Sequence, residues 1–489
     1  MNKITESEIT ESIKTKPYKH QLECIDYGIR HNKIFIGDEQ GLGKTLESIG
    51  IAVYKKKHDG YKHCLIICGV NGLKYNWKDE VETHSFEQAY ILGQYSTKNG
   101  IRIGDNKQKL CDLENIDTLP YFIITNIETL RYKVKTGLKV KKHGKLVDEY
   151  VYPIVDIINK NSDKINMIVA DECHKMRNPE SEQGQQFLKT QARTMVALTG
   201  TPLLNTPLDL YIILKWLGYE EHSFYQFKMH YCRFGGFGGY EVIGYKHLDQ
   251  LQDTLDGVMI RRLKKDVLDL PDKIYMPEYI EMSDKQHKIY DEVRSDMLEN
   301  IDLIRASVNP LSEMIRLRQA TGYTGILSST VKESTKLDRL VELVDDIVQN
   351  DEKVLIFSNW TTMTDVICEK LNKYNPMSIT GKVSDDVRSV YVKRFQHNIQ
   401  EKVLVGTIGA MGTGLTLTAA TNVIFFDEPW NRAIREQAED RAHRIGTKQS
   451  VNIYILMEKN TIDERIHKLV EDKGELSDKI VDKVGYLLM

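Results

Sequence analysis

The chain lacks any apolar run of the roughly 18 residues that a membrane-spanning helix needs. Its opening residues, Met1-Asn2-Lys3-Ile4-Thr5-Glu6-Ser7-Glu8, are polar and partly acidic where a secretory leader would place an apolar segment. Membrane insertion and export are therefore not expected, and a cytoplasmic protein is. Cysteine is scarce: the seven, at 24, 64, 68, 111, 173, 232 and 368, are odd in number and form no CxxC pair. That pattern argues against a disulfide scaffold or structural zinc and fits free thiols in a reducing compartment. Neither sign of charge prevails, with 67 Lys and Arg against 70 Asp and Glu and a formal charge of −3. A nucleic-acid partner would have to be met by a local basic groove. Low-complexity tracts and internal repeats are missing, and 489 residues at 41% hydrophobic and 28% charged describe a folded chain of two or three domains.

What is present is a rhythm of short β-branched runs. Ile34–Ile36, Leu65–Ile67, Phe122–Ile124, Met167–Val169 and Met195–Ala197 each suit a strand buried on both faces, and several are spaced for crossover helices. The rhythm resumes at Val354–Phe357, Val403–Val405, Val423–Phe426 and Ile453–Leu456. The fold class is thus α/β, with two lobes of mainly parallel sheet. Between Pro202 and Val354 the rhythm breaks. This stretch holds the glycine-rich Phe234–Gly239 and basic, helical-looking segments such as Met259–Lys265. It reads as a helical insertion between the sheets or as a separate middle domain. The expected division is 1–225 for the first lobe, 226–335 for a largely helical insertion and linker, and 336–489 for the second lobe.

The first strand leads into Gly37-Asp38-Glu39-Gln40-Gly41-Leu42-Gly43-Lys44-Thr45. Gly41 and Gly43 let backbone N–H groups curl around phosphate oxygens, and the following helix turns its positive end toward the anion. Lys44 would reach the β and γ phosphates, and the Thr45 hydroxyl would ligate Mg2+. Leu46, Ile49 and Val53 fall on one face of that helix. The strict GxxxxGKT pattern wants glycine at 38, where this chain has Asp38.

Met167–Ala170 is an apolar run that ends in the adjacent carboxylates Asp171 and Glu172. Such a pair also occurs in solvated loops. Beside a phosphate loop, though, Asp171 suits the metal shell and Glu172 the general base that activates water. In Gln437–Gly446, helical spacing would set Gln437, Arg441 and Arg444 on one face, where two guanidinium forks suit a transferring phosphoryl group. Glu436, Glu439 and Asp440 leave open an ordinary salt-bridged surface helix.

Order and spacing of these segments converge. With DEQGLGKT (38–45), DECH (171–174), LTGTP (198–202), MIRRLKKDVLDLPDK (259–273), IRLRQATG (315–322), VLIFSNW (354–360), MGTGLTLTAATNVIFFDEPWN (411–431) and QAEDRAHRIGTKQ (437–449), the chain resembles the Swi/Snf-type ATPases of the superfamily II nucleic-acid motors. It looks like a compact bacterial or viral-type member, and the likeness runs from about residue 17 to 470. The resemblance implies two RecA-like lobes, an ATP-binding one and a helicase C-terminal one, with helical insertions between their motifs. It implies ATP and Mg2+ as cofactors. It implies that Gln21 reads adenine, that Thr199, Gly200 and Thr201 couple the nucleotide to the track, and that Gln437, Arg441 and Arg444 serve the ATP site. It implies too that Gly412 and Gly414 sense closure of the lobes. Track contacts are expected from Asn71, Trp77, Thr125, Asn126, Ser358, Asn359 and Trp360, with the tryptophans packing rather than stacking on bases. Cys173, Gly69 and Thr416 depart from the alanine, proline and asparagine usual in the family.

Residues 131–145 hold seven Lys or Arg and no acid. Lys133 and Lys135, then Lys139 and Lys141 around Gly137, suggest a β-hairpin with one cationic face. It would grip a phosphate backbone or stand solvated. The expected function is an ATP-dependent motor translocating on double-stranded DNA. The alternatives are a strand-separating helicase on single-stranded or forked DNA or on RNA, and an ATP-controlled DNA-binding switch. The short flanks carry no histone-reading module, so service in repair or recombination, or with protein partners in a larger DNA-processing complex, is expected over nucleosome remodelling.

Overall fold

The computed structural model describes residues 6–70, 72–97, 100–142, 145–202, 206–299, 311–412, 415–468 and 470–471. The chain forms two compact units that divide between Val267 and Leu268.

In the first unit, β1 (Lys33–Ile36), β2 (His63–Cys68), β3 (Ala89–Ile91), β4 (Phe122–Asn126), β5 (Ile165–Asp171), β6 (Thr194–Leu198) and β7 (Met259–Ile260) build a parallel sheet in the order β7-β1-β6-β5-β2-β4-β3. Its central strands are continuous apolar runs because both faces are covered. Leu65, Ile67, Ile123 and Ile168 enter one core, and Ile66, Ile124, Met167 and Val169 the other. Truncating one of these isoleucines to alanine would cost about 2–5 kcal/mol. Helices α1 (Lys19–Arg30) and α2 (Lys44–Asp59) pack together on this unit, and α3 (Leu73–His84) follows β2. Every residue of α2 from Leu46 to Lys55 is buried, so it is a core helix rather than one with a single apolar face.

In the second unit, β8 (Lys273–Ile280), β9 (Val354–Ser358), β10 (Met377–Ile379), β11 (Val403–Thr407), β12 (Asn422–Phe425) and β13 (Val451–Glu458) form a second parallel sheet in the order β8-β13-β12-β9-β11-β10. Helices α4 (Thr335–Gln349) and α5 (Arg432–Glu439) belong to it.

The α/β class and each of the nine expected strands are present. The stretch 226–335 holds helices, but it also gives β7 to the first sheet and β8 to the second. Met259–Lys265, expected to be helical, is a strand at Met259–Ile260 and irregular through Leu263, and only Lys264–Val267 makes a helical turn. The glycine-rich Phe234–Gly239 lies in an antiparallel hairpin between Cys232–Gly235 and Glu241–Tyr245. Among the described residues no helix is long and apolar enough to cross a membrane.

Candidate active site

The site of the first unit lies at the carboxyl ends of β1, β5 and β6. After Ile36 the chain turns through Gly41 and Gly43, both left-handed at φ +84° and +89°, and enters α2 at Lys44. A side chain at Gly43 would be strained by that φ. Its Cβ would also stand 2.2 Å from Gln21 Nε2. Gln21 is buried against the loop: Nε2 donates to the Leu42 carbonyl at 3.0 Å, and Oε1 accepts from the Tyr18 amide at 2.9 Å. The half-buried Lys44 donates Nζ to the carbonyls of Asp38 at 2.8 Å and Glu39 at 3.1 Å. Desolvation lowers its pKa, opposed by the charges of Glu172, Asp38, Asp171 and Glu47. Thr45, the next residue, is half-buried at the first turn of α2.

β5 ends at Asp171, and Glu172 takes a left-handed φ of +50° that swings the chain into the turn Cys173–Met176. Few non-glycine residues adopt that conformation, and here the turn is fixed by Glu172 N to Asp171 Oδ1 at 2.9 Å and Lys175 N to the Glu172 carbonyl at 2.9 Å. Trp77 of α3 donates its indole N–H to Asp171 Oδ2 at 2.8 Å. Burial, and then the Glu172 charge, raise the Asp171 pKa. A carboxylate and a hydroxyl are hard oxygen donors, so by chemistry Asp171, half-buried at the end of β5, and Thr45, at the first turn of α2, suit a magnesium ion. His174 Nδ1 lies 2.9 Å from Thr199 Oγ1 and 3.2 Å from Glu172 Oε2, and Thr199 Oγ1 accepts the Thr201 amide at 3.1 Å. The acidic turn and the Thr199–Thr201 loop are thereby joined through one histidine.

Two departures acquire a physical reason here. Gly69 donates its backbone N–H to the Asp171 carbonyl at 2.8 Å, a bond that proline cannot make, and a Cβ at 69 would meet the Glu172 carbonyl at 2.6 Å. The fully buried Asp38 carboxylate is gripped by Arg262, whose Nε lies 3.0 Å and Nη2 2.5 Å from Oδ2.

In the second unit, Gln437 is buried in α5. The expected single helical face does not form, since α5 stops at Glu439 and Arg441 and Arg444 lie in the turns beyond it. Arg441 Nε takes the Gln437 carbonyl at 3.0 Å, the acceptor that a continuing helix would have offered to the Arg441 amide. Its Nη1 reaches the Leu415 carbonyl at 3.3 Å, while Arg444 Nη1 donates to Thr416 Oγ1 at 2.9 Å. Thr416 thus supplies an oxygen to Arg444 where the family usually has asparagine. Gly414 lies outside the described residues, and Gly412 ends the turn Ile408–Met411.

Residues 20–334 match the SNF2-related domain and residues 335–446 the helicase conserved C-terminal domain. The chain belongs to the SNF2-related family. It is 28% identical over 477 residues to an uncharacterized ATP-dependent helicase of Mycoplasma pneumoniae, a match covering 94% of this chain and 41% of that protein. It is 26% identical to the human DNA annealing helicase and endonuclease ZRANB3 over 96% of this chain and 41% of that one. With the putative ATP-dependent helicase/translocase YwqA of Bacillus subtilis it shares 25% identity over 92% of this chain and 47% of the relative. The chain thus spans less than half the length of these curated relatives. Among solved structures, the Sulfolobus solfataricus SWI2/SNF2 ATPase core in complex with dsDNA is 23% identical, with 96% and 94% of the two chains covered and a TM-score of 0.40.

Of the track candidates in this SNF2-related chain, Asn71 lies outside the described residues. Thr125 and Asn126 are buried at the end of β4, where Asn126 Oδ1 accepts from Thr129 at 2.8 Å. Ser358 Oγ donates to Asp427 Oδ2 at 2.5 Å, and the Asn359 amide to Asp427 Oδ1 at 2.9 Å, so both hold the end of β12. Arg318 is enclosed beside them, 5.0 Å from the Trp360 ring and 5.1 Å from the Trp430 ring, with Nη2 on the Glu428 carbonyl at 2.5 Å. The tryptophans pack, as expected. The basic segment is an antiparallel pair of Val134–Lys142 with Lys145–Val151, but one strand runs through Gly137, where the register shifts, and Lys142 pairs with Lys145. Lys133 pairs with Glu182 and Lys135 with Asp148, each at 2.6 Å, while Lys139 and Lys141 are exposed.

Glu428, His467 and Glu471 approach as metal ligands do. The guanidinium of Arg435 already answers them, bonded to Glu428 and, at 2.7 Å, to Glu471. Arg262, His174 and Trp77 as a partner of Asp171 were not foreseen from sequence. The aspartate in a glycine's place at 38 and the pair Arg261-Arg262 were the only local hints.

Proposed function

We propose that the chain is an ATP-hydrolysing motor that translocates on double-stranded DNA. The observation that carries this is the meeting of Lys44, Asp171 and Glu172 at the carboxyl edge of one parallel sheet, with a glycine loop opening a helix between them and Gln21 against that loop. Lys44 and the loop amides bind the phosphates and Gln21 the adenine edge. Thr45 and Asp171 hold Mg2+, which neutralises phosphate charge, and Glu172 accepts the proton of the attacking water. Gln437, Arg441 and Arg444 serve the hydrolysis as well, the two guanidinium groups suiting the charge of a transferring phosphoryl group. Thr125, Asn126, Ser358 and Asn359 shape the strand ends that face the track, and Lys133, Lys135 and Lys141 add phosphate contacts. The reading puts the protein in the cytoplasm of a bacterial or virus-infected cell, where protein partners direct the motor.

The test is steady-state ATP hydrolysis at one fixed salt with no nucleic acid, single-stranded DNA, duplex DNA, forked DNA and RNA. Strong stimulation by plain duplex supports a translocase. Preference for single strands, forks or RNA replaces it with a strand-separating helicase, and turnover indifferent to all of them replaces it with an ATP-controlled binding switch.

A further inference from the structure

Residues 260–264, at and just after the end of β7, are laced onto the phosphate loop. Gly37 N donates to the Ile260 carbonyl at 2.8 Å and Glu39 N to the Arg262 carbonyl at 3.0 Å. In return Arg262 N donates to Asp38 Oδ1 at 2.9 Å and Lys264 N to Glu39 Oε2 at 2.7 Å. Arg261 adds Nη1 bonds to the carbonyls of Gly37 at 2.6 Å and Gly200 at 3.2 Å, spanning the loops after β1 and β6. Residues 37–39 of the loop are therefore one edge of a short ladder, and residues 260–264 are the other.

Arg262 is the centre of that ladder. Its fork holds both Asp38 oxygens, its Nη2 also reaches Glu47 Oε1 at 3.0 Å, and its Nη1 donates to the His20 carbonyl. Asp38 and Glu47 are fully buried, so the guanidinium compensates two carboxylates in a site without water access. Burial and the Asp38 charge raise the Glu47 pKa to about 8 against the pull of Arg262. Asp38 is also the residue whose carbonyl receives Lys44. One residue thus touches the phosphate-seeking ammonium through its backbone and the interunit segment through its side chain. Five residues beyond Arg262 the first unit ends.

We infer that Arg262 is a positioning residue of the nucleotide site, which sets the shape of the phosphate loop by clasping Asp38 and ties that loop to the segment leading into the second unit. The inference rests on reading Gly37–Thr45 as a nucleoside-triphosphate site. It explains why aspartate stands where the strict loop pattern wants glycine: the side chain points away from the phosphates and serves the clasp. Lysine cannot replace arginine here, because a point charge cannot bridge two oxygens of one carboxylate while reaching a second acid and a carbonyl.

The experiment uses the full chain as wild type, Lys44→Ala, Arg262→Lys, Arg262→Gln and the pair Arg262→Gln/Asp38→Asn. It measures binding of a fluorescent ATP analogue, KM and kcat for ATP, and thermal midpoints. Arg262→Lys is expected to fold and to weaken nucleotide binding and raise KM by about tenfold or more, as loss of a residue that orients ligand-binding groups does, with a smaller effect on kcat. The neutral pair should recover part of the binding that Arg262→Gln loses, since it removes the uncompensated Asp38 charge. Wild-type KM in folded Arg262→Lys, or equal losses with and without Asp38, would overturn the clasp as a positioning device. Wild-type nucleotide binding equal to that of Lys44→Ala would instead overturn the reading of the site itself.

Discussion

Trp77 holds Asp171 from behind: its indole N–H meets Oδ2 at 2.8 Å, while the other oxygen is taken by the Glu172 amide. An indole donor favours the ionised carboxylate and fixes its rotamer, both of which a metal-binding aspartate needs. Trp77→Phe keeps the packing and removes the donor. The expected result is a rise of about tenfold in the Mg2+ concentration needed for half-maximal ATP hydrolysis, with nucleotide binding in the absence of metal little changed. A magnesium titration at saturating ATP checks it.

Lys44→Ala is expected to weaken ATP binding and abolish turnover, because the loop loses its only side-chain cation. Glu172→Gln keeps the shape of the turn and the bonds of its backbone. It should bind ATP as the wild type does and hydrolyse it about 10³-fold more slowly if its carboxylate is the base. Equilibrium binding beside single-turnover hydrolysis separates the two effects.

Arg444 spends one nitrogen on Thr416 Oγ1. Arg444→Ala should lower kcat by about 10³-fold while ATP still binds. Thr416→Val removes only the anchor and should cost less, with Thr416→Asn restoring the rate. Comparing kcat across the three variants distinguishes a guanidinium that acts from one that merely pairs.

On the basic hairpin, Lys139 and Lys141 share a face and are exposed, whereas Lys133 and Lys135 are answered by carboxylates. Replacing Lys139 and Lys141 together by alanine should leave the fold intact. It should also lower the slope of log affinity for duplex against log salt by about 2. Fluorescence anisotropy across a salt series reads this directly.

Glu458 is buried at the end of β13, where Oε1 accepts from Thr335 at 2.9 Å and burial raises its pKa to about 7. A raised carboxyl favours the folded state below the unfolded pKa and loses that contribution as pH rises through the folded value. Stability from this group should therefore fall between about pH 4.5 and 7, by about 3 kcal/mol before other groups respond. Glu458→Gln, permanently neutral, should raise the thermal midpoint at pH 8 and leave it nearly unchanged at pH 5. Calorimetry at the two pH values tests the sign.

The strands that could be read from sequence are those covered on both sides, such as Leu65–Ile67 and Val354–Phe357, where burial forces an unbroken apolar run. Those that could not are edge or very short strands. β7 is two residues long in basic surroundings, and β8 carries Pro277 and exposed Ile274, Tyr275 and Tyr279 at the margin of its sheet. The same division holds in the site. Gly41–Thr45 and Asp171-Glu172 are legible because their chemistry is contiguous. The end of α5 was missed because Arg441 competes for a backbone acceptor through its own side chain, which no periodicity reports. Arg262 was missed because its partner Asp38 is 224 positions away.

That separation has a consequence for how the molecule is made. A ribosome delivers Asp38 and Lys44 early, but β7 and the guanidinium that complete the loop emerge only after most of the first unit has been synthesised. Until then the Asp38 carboxylate lacks the guanidinium fork that holds both of its oxygens, and burying it carries an electrostatic penalty. On the proposed reading of this loop as a nucleotide site, the site is completed only when residues 260–264 have been made, just before synthesis of the second unit begins.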